Sequence, residues 1–270
     1  MSSLFLLYIK NLTRFHKKIG TNGACSDLVY PTGVEPAASR VGVLAGGSGT
    51  RMGISALPKQ FLSIGKKPII IHTIEQFMMV KEINHLIVVV SKDFKNHLEN
   101  ILKQYGIKNV HIVTGGKDRH DSVVNGCKYI KEVLKAEDAV VISHDSVRPF
   151  ITRRIIEDNI EAIKHNDVVD TIIPATDTIV EGSNNVITNI PDRKKMFQGQ
   201  TPQTFKLNEF LSLSETLTEE EQNILTDVCK LYYLRNKKVG YVDGEVFNFK
   251  ITTKFDLNIA NGFVKGDFEL

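Results

Sequence analysis

The chain has 270 residues, 42% of them hydrophobic and 24% charged, the composition of an ordinary globular protein with room for one large α/β domain or two small ones. Its 34 basic and 31 acidic residues leave a net charge of +3. That is too little to attract nucleic acid or a membrane surface through bulk electrostatics, which leaves anionic small molecules that respond to local charge. Cys25, Cys127 and Cys229 form no CxxC pair, an argument against a disulfide framework or zinc site and for a reducing, cytoplasmic setting. No apolar run approaches the roughly 18–20 residues of a membrane span.

Residues 1–38 carry an apolar run, Leu4 to Ile9, with Lys10, Arg14, Lys17 and Lys18 after it. A signal peptide has its positive charge before such a run, so this stretch is treated as an N-terminal extension outside the folded core. From residue 39 the pattern alternates. Val41–Ala45 reads as a buried strand running into the glycine-rich turn Gly46-Gly-Ser-Gly-Thr-Arg-Met-Gly53. Residues 69–80 read as helix and 86–91 as a strand buried on both faces. Asp93 suggests an N-cap for a helix over 94–105 that stops at Gly106. Strand 110–114 ends in Gly115-Gly116, and helix is predicted over 122–134. Strand 139–143 closes in His144-Asp-Ser-Val-Arg-Pro149, and Thr152 caps a helix running to about His165. Strand 168–174 follows. Residues 177–181 and 186–190 flank Gly182-Ser-Asn-Asn185 and read as a β-hairpin within an arm at about 175–197. Helices over 207–216 and 219–235, a strand near 239–242 and a helix over 254–264 complete the chain.

Strands alternating with helices of this length predict a Rossmann-like, mostly parallel sheet with helices on both faces, in a single domain over 39–270. Ligands then bind beyond the carboxyl ends of the strands. Three polar or glycine-rich clusters fall at such ends: after Ala45, after Thr114 and after Ser143. Glycines let backbone N–H groups approach an anion, and Arg51 and Lys59 add positive charge just past the first turn, as needed to hold a triphosphate and stabilise growing charge. The turn is not a Walker A loop, since no Gly-Lys-Ser/Thr occurs. Nor does it complete the dinucleotide fingerprint, because Met52 stands where a third glycine belongs. Asp145, beyond an apolar strand, is placed to hold Mg²⁺ against phosphate oxygens. His144 has no ligand-spaced partners and reads as structural. Arg148 is available to pair with Asp145 or another carboxylate.

Leu44-Ala-Gly-Gly-Ser-Gly-Thr-Arg-Met-Gly53, Pro58-Lys-Gln-Phe61, Gly115-Gly-Lys-Asp-Arg119, His144-Asp-Ser-Val-Arg-Pro149, Gln200-Thr-Pro-Gln-Thr-Phe205, Thr226-Asp227 and Lys250-Ile-Thr-Thr253 occur in this order. Together they resemble the IspD/TarI family of cytidylyltransferases, over about residues 40–264. The resemblance implies the nucleotidyltransferase fold with a β-arm, CTP as co-substrate, a divalent cation, a polyol phosphate acceptor and a homodimer formed through the arm. Ser146-Val147 is similar to the branch acting on D-ribitol 5-phosphate, which makes CDP-ribitol for teichoic acid or capsule polymers. The methylerythritol phosphate branch tends to have Ala-Ala there, and a polar or acidic residue at the place of Phe247.

By resemblance, Leu44, Ala45, Gly46 and Gly47 offer backbone to the nucleotide, and Gly115, Gly116, Lys117, Asp118, Arg119, His120, Asp121 and Ser122 complete its pocket with Ser146. Arg51 and Lys59 stabilise the pentacoordinate transition state. Arg193 and Lys250 position the acceptor phosphate, Arg193 beside the arm and therefore near a second subunit, and Thr178 is a further candidate contact.

Overall fold

The computed structural model describes residues 39–45 and 57–266. The extension 1–38, Cys25, and the turn residues Gly46, Gly47, Arg51 and Met52 lie outside the described residues.

Strand β1 (Arg40–Ala45) sits inside an eight-stranded sheet. It pairs parallel with β4 (His85–Val90) on one side and β6 (Val140–Asp145) on the other, and β5 (His111–Thr114) adds parallel to β4. β11 (Gln203–Lys206) runs antiparallel between β6 and β7 (Val168–Pro174). β10 (Phe197–Gly199) pairs antiparallel with β7, and β12 (Val239–Asp243) parallel with it. The register pairs Ala45 with both Val89 and Asp145, and Val90 with Thr114. The carboxyl ends of β1, β4, β5 and β6 are therefore aligned along one edge of the sheet. Two short hairpins lie apart from it: β2 (Ser63–Ile64) with β3 (Lys67–Pro68), and β8 (Glu181–Ser183) with β9 (Val186–Asn189).

The strands are apolar on both faces because helices cover both. Leu44, Leu86, Val88, Val90 and Ile142 meet α1 (Ile69–Met78), α2 (Lys95–Gln104) and α4 (Arg153–Ala162). Val41, Val43, Ile87, Val89 and Val141 face α3 (Arg119–Glu132), α5 (Leu207–Ser214) and α7 (Val228–Leu234). Successive strand residues point to opposite faces, so each strand feeds two cores, each buried Val, Leu or Ile stabilising the fold by about 1.5–3 kcal/mol. α3 lies close to the sheet at Gly126, where a Cβ would stand 3.1 Å from Val43 and 3.3 Å from Val89. A third cluster packs α8 (Lys254–Lys265) through Ala260 and Phe263 against Ile64, Ile69, Phe150 and Ile251. It anchors the loop that carries Lys250.

Several boundaries differ from the sequence reading, each for a local reason. Asp93 is no N-cap: it lies in a 3-10 turn, Lys92–Phe94, and α2 starts without a side-chain cap. α3 begins at Arg119, three residues before the predicted start, because the Asp118 carboxylate accepts from Asp121 N and starts the helix there. β6 continues through His144 and Asp145, since β1 pairs with it to the end. The segment after Gln200 holds β11, whose Gln203, Thr204 and Phe205 are buried between neighbouring strands. The predicted helix 219–235 is two, α6 (Glu219–Ile224) and α7, interrupted where Asp227 caps the second by accepting from Lys230 N. The predicted hairpin is present with shorter strands, and Asn184 and Asn185 take the positive φ angles of its turn. Thr152 caps α4 as expected.

Candidate active site

Asp145, the last residue of β6, is only 5% exposed. Among the described residues three cations converge on its carboxylate. Arg119 donates to Oδ1 from Nε at 3.2 Å and lies 3.0 Å from it through Nη2. Arg148 Nε donates to Oδ2 at 3.1 Å, and Lys250 Nζ lies 3.2 Å from the same oxygen. Burial alone would push this carboxyl up. The charges of Arg119, Lys250 and Arg148 outweigh it and hold Asp145 well below the usual carboxylate range.

Each partner arrives on a separate element. Arg119 opens α3, set by the Asp118 cap. Arg148 sits in the turn after β6, its amide donating to Asp145 O at 3.0 Å and its Nη1 to Asn248 O at 2.8 Å. Lys250 belongs to the stretch before α8, tied down by Ile251 N donating to Val147 O at 3.0 Å. Below the carboxylate is a buried polar chain. Asp145 N donates to Thr201 Oγ1 at 3.1 Å. His144 is fully buried, with Nε2 3.1 Å from Arg148 O and Nδ1 2.9 Å from Thr201 Oγ1. The carbonyl only accepts, so Nε2 carries the proton, and a neutral ring then accepts from the Thr201 hydroxyl. Burial pushes His144 down to about 4, which keeps it neutral. Its role is structural, as its sequence context suggested. Asn248 completes the support by donating to Gln200 Oε1 and Thr201 O.

Lys59 is buried, and its Nζ donates to Thr252 O at 2.9 Å, two residues from Lys250. Leu44 is buried on β1, and the backbone of Ala45 lies beside Asp145 in the register. Ser146 is buried, with its Oγ unpartnered among the described residues and its carbonyl accepting from Thr73 Oγ1 at 3.0 Å. A buried hydroxyl without a partner is costly unless something else completes it.

In the 115–122 segment, Gly116 N donates to Ser122 Oγ at 3.2 Å, and Ser122 Oγ to Asp118 O at 2.7 Å. A Cβ on Gly116 would come within 2.2 Å of Asp121 Cβ, so the first turn of α3 requires glycine there. Lys117 is exposed, and the His120 ring packs near Phe210, with its titration lowered by burial. Arg193 stands apart. It is exposed in the arm, donates to Thr176 O at 3.0 Å and makes no ion pair among the described residues. Thr178 is exposed as well. The sequence reading missed Asn248 and Thr201 as supports and did not see Arg119 as a partner of Asp145; only the i,i+3 spacing of Asp145 and Arg148 hinted at their pair. Among the described residues no group of three or more His, Cys, Asp or Glu is placed to hold a metal ion, and no helix is long and apolar enough to cross a membrane.

A strand-end carboxylate ringed by cations that can turn to phosphate is an arrangement suited to phosphoryl chemistry. The family profile for IspD, 2-C-methyl-D-erythritol 4-phosphate cytidylyltransferase, matches residues 40–266. The chain belongs to this cytidylyltransferase family. It is 47% identical over 225 residues to a protein of Lactiplantibacillus plantarum named ribitol-5-phosphate cytidylyltransferase, with 83% of this chain and 97% of that one covered. It is 46% identical over 238 residues to a Streptococcus pneumoniae protein of the same name, covering 84% and 98%. Among solved structures it is similar to the 4-diphosphocytidyl-2C-methyl-D-erythritol synthase of Anaerococcus prevotii, with a TM-score of 0.71, 26% identity and coverage of 84% and 96%. The Francisella tularensis 2-C-methyl-D-erythritol 4-phosphate cytidylyltransferase gives a TM-score of 0.69, 25% identity and coverage of 84% and 100%. The Rossmann-like, mostly parallel sheet expected for this cytidylyltransferase is the one found.

Proposed function

We propose that this cytidylyltransferase joins CTP and D-ribitol 5-phosphate to give CDP-ribitol and pyrophosphate, in the cytoplasm, supplying teichoic acid or capsule polymers. The observation that carries the reading is the cluster of Arg119, Arg148 and Lys250 on Asp145, in a chain whose 46–47% identical relatives bear the ribitol name. The methylerythritol phosphate acceptor is the rival, and the similar structures bearing that name are more distant, at 25–26% identity.

In this reaction a phosphate-monoester oxygen attacks the α-phosphorus of CTP and the bond to pyrophosphate breaks. The monoester's second pKa is about 6, so the nucleophile is largely ionised near neutrality and needs no general base. The protein's task is in-line positioning and neutralisation of crowded negative charge. Arg51 and Lys59 stabilise the charge at the reacting phosphorus. Backbone at Leu44–Gly47, the 115–122 segment and Ser146 hold the nucleotide. Lys250 and Arg193 orient the acceptor phosphate. Arg193 and the arm reach a second copy of the chain, making the working unit a homodimer.

A single hard carboxylate at a phosphate site suits Mg²⁺, which commonly binds through one or two carboxylates plus substrate phosphates. Asp145 would hold it, and bound there it would neutralise phosphate oxygens. Arg119, Arg148 and Lys250, which balance the charge of Asp145, would then be available to the phosphates.

Purified protein is incubated with CTP and either D-ribitol 5-phosphate or 2-C-methyl-D-erythritol 4-phosphate, and pyrophosphate release is followed. Turnover with the ribitol phosphate is expected. Product from the methylerythritol phosphate alone would reverse the acceptor assignment. Sedimentation of the full chain and of an arm deletion tests the dimer.

A further inference from the structure

The carbonyl that receives Lys59 belongs to a peptide whose other side is gripped by a carboxylate. Lys59 opens a short 3-10 turn, Lys59–Phe61, and is only 9% exposed. Its Nζ donates to Thr252 O at 2.9 Å. The amide of the same peptide unit, Thr253 N, donates to Asp256 Oδ2 at 2.8 Å. In a planar trans peptide the C=O and N–H point in opposite directions. Fixing the amide on Asp256 therefore turns the carbonyl the other way, toward Lys59.

Asp256 does more than start α8. Its amide donates to Oγ1 of Thr253, the N-cap, at 3.2 Å, which with the Thr253 N bond completes a capping box. Oδ2 also accepts from Thr252 N at 2.8 Å and from Thr252 Oγ1 at 2.7 Å. Three donors thus meet on one oxygen, and the two from Thr252 are beyond what the capping box requires. Burial alone would raise this carboxyl; the hydrogen bonds from Thr252 and Thr253 outweigh it and lower its titration, so it is charged at neutral pH. A negative charge on the amide side polarises the peptide and strengthens its carbonyl as an acceptor, and here the carbonyl faces an ammonium. Ile251, next to Thr252, is fully buried in the cluster with Phe150 and Ala260, which pins the segment from its other side.

We propose that Asp256 is a positioning residue for Lys59, acting through the Thr252–Thr253 peptide. Its charge orients and polarises that peptide, and the peptide holds the Lys59 ammonium in place for the reacting phosphate. The hold on Lys59 stands on the hydrogen bonds alone. Its kinetic consequence rests on the role given to Lys59 in the function proposed above.

The test uses the full chain and two substitutions. Asp256→Asn removes the charge but keeps an acceptor oxygen at a half-buried helix start, so the fold survives it. Thr253→Ala removes the cap hydroxyl and leaves the peptide and the carboxylate in place. Both should lower the urea midpoint modestly, but only Asp256→Asn should reach Lys59. Trace acetylation with acetic anhydride, read by peptide mass spectrometry against the exposed Lys131, measures this directly. Lys59 should be about threefold more reactive in Asp256→Asn, because an ammonium that loses a favourable charge gives up its proton more readily, and unchanged in Thr253→Ala. With CTP and D-ribitol 5-phosphate, kcat should fall about tenfold in Asp256→Asn while the Kd for CTP changes by less than about twofold. Added to Lys59→Ala, the same substitution should change the residual kcat by less than about twofold, since no ammonium is left to position. Equal kcat losses with and without Lys59, or a loss in Thr253→Ala matching that in Asp256→Asn, would mean that Asp256 acts on the fold alone and would overturn the proposal. Unchanged Lys59 reactivity in Asp256→Asn would overturn it as well. If no acceptor gives turnover, the functional reading fails, while the acetylation still decides the hold on Lys59.

Discussion

Asp145→Asn tests the reading of the site with little change of shape. The substitution removes the charge that Arg119, Arg148 and Lys250 share, all held at 3.0–3.2 Å. A unit-charge pair at about 4 Å is worth roughly 4 kcal/mol gross at an effective dielectric near 20, most of it offset by desolvation. The cost of the substitution depends on what the cations do next. The Arg119 and Lys250 side chains are 27% and 41% exposed and can turn to water. Arg148, at 11%, cannot, but it keeps Asn248 O. The loss should therefore fall at the lower end of the roughly 3–5 kcal/mol typical of breaking a buried pair. For a domain of this size, about 3 kcal/mol corresponds to a Tm lower by roughly 6–12 °C. CTP brings its own negative charge to the orphaned cations. The Tm rise on saturating CTP should therefore be larger in the variant than in the unsubstituted protein, while turnover should drop by about 100-fold or more if Asp145 holds the divalent cation as proposed. Thermal melting with and without CTP, beside a pyrophosphate-release assay, reads all three. An unchanged Tm with an unchanged CTP response would show that the three cations do not depend on Asp145, and the electrostatic account of the site would fall.

Lys59→Ala should lower kcat far more than it raises the Kd for CTP, because a charge acting on the reacting phosphorus is felt mainly in the transition state; isothermal titration beside steady-state kinetics separates the two. Gly126→Ala places a methyl about 3.1 Å from Val43 and should cost about 1–3 kcal/mol by overpacking, seen as a lower urea midpoint with an unchanged slope. Thr201→Val removes the hydroxyl between Asp145 N and His144 Nδ1 and should destabilise the protein by about 1–3 kcal/mol, since two buried polar groups lose their partner.

The sheet was legible because its strands are short apolar runs bounded by glycine or polar turns. Where it was misread, a neighbour decided. β11 shows no alternation, because Thr204 meets Asn159 of α4 on one face and Phe205 the α5 and α7 cluster on the other, and a strand covered on both faces loses its period. α3 was begun late because Asp118 looked like part of a binding loop, whereas its carboxylate caps the helix. In the site, motif order brought Asp145 and Lys250 to notice but not to each other; they are far apart in the chain, and the hydrogen bonds of Ile251 to Val147 and Arg148 to Asn248, with the packing of α8 on Phe150 and Ile251, bring them together. Arg193 was grouped with Lys250 by resemblance, yet within one chain it stays in the arm, so its part in the reaction depends on the second copy proposed above.

Two buried titrations in this fold oppose each other, and a single stability curve would hide both. His144 is pushed down to about 4 from 6.5 by burial. The folded protein therefore binds fewer protons there than the unfolded chain, and stability present above about pH 6.5 is lost as pH falls. Asp170 is pushed up to about 6 from 3.8. Its folded state binds more protons, and stability is gained as pH falls toward 4 and lost as it rises through 6. Between pH 7 and 5 the first effect costs about 2 kcal/mol and the second returns about 1, so the unsubstituted protein loses only about half of what His144 alone would cost it. Asp170→Asn removes only the returning part. The variant should be more stable than the parent by about 2–3 kcal/mol at pH 7, should lose about 1 kcal/mol more than the parent on going to pH 5, and should meet it near pH 4. Urea titrations at three pH values measure this directly. Parallel curves for the two proteins would mean that Asp170 titrates as an ordinary exposed carboxylate, and burial on β7 would not be raising it.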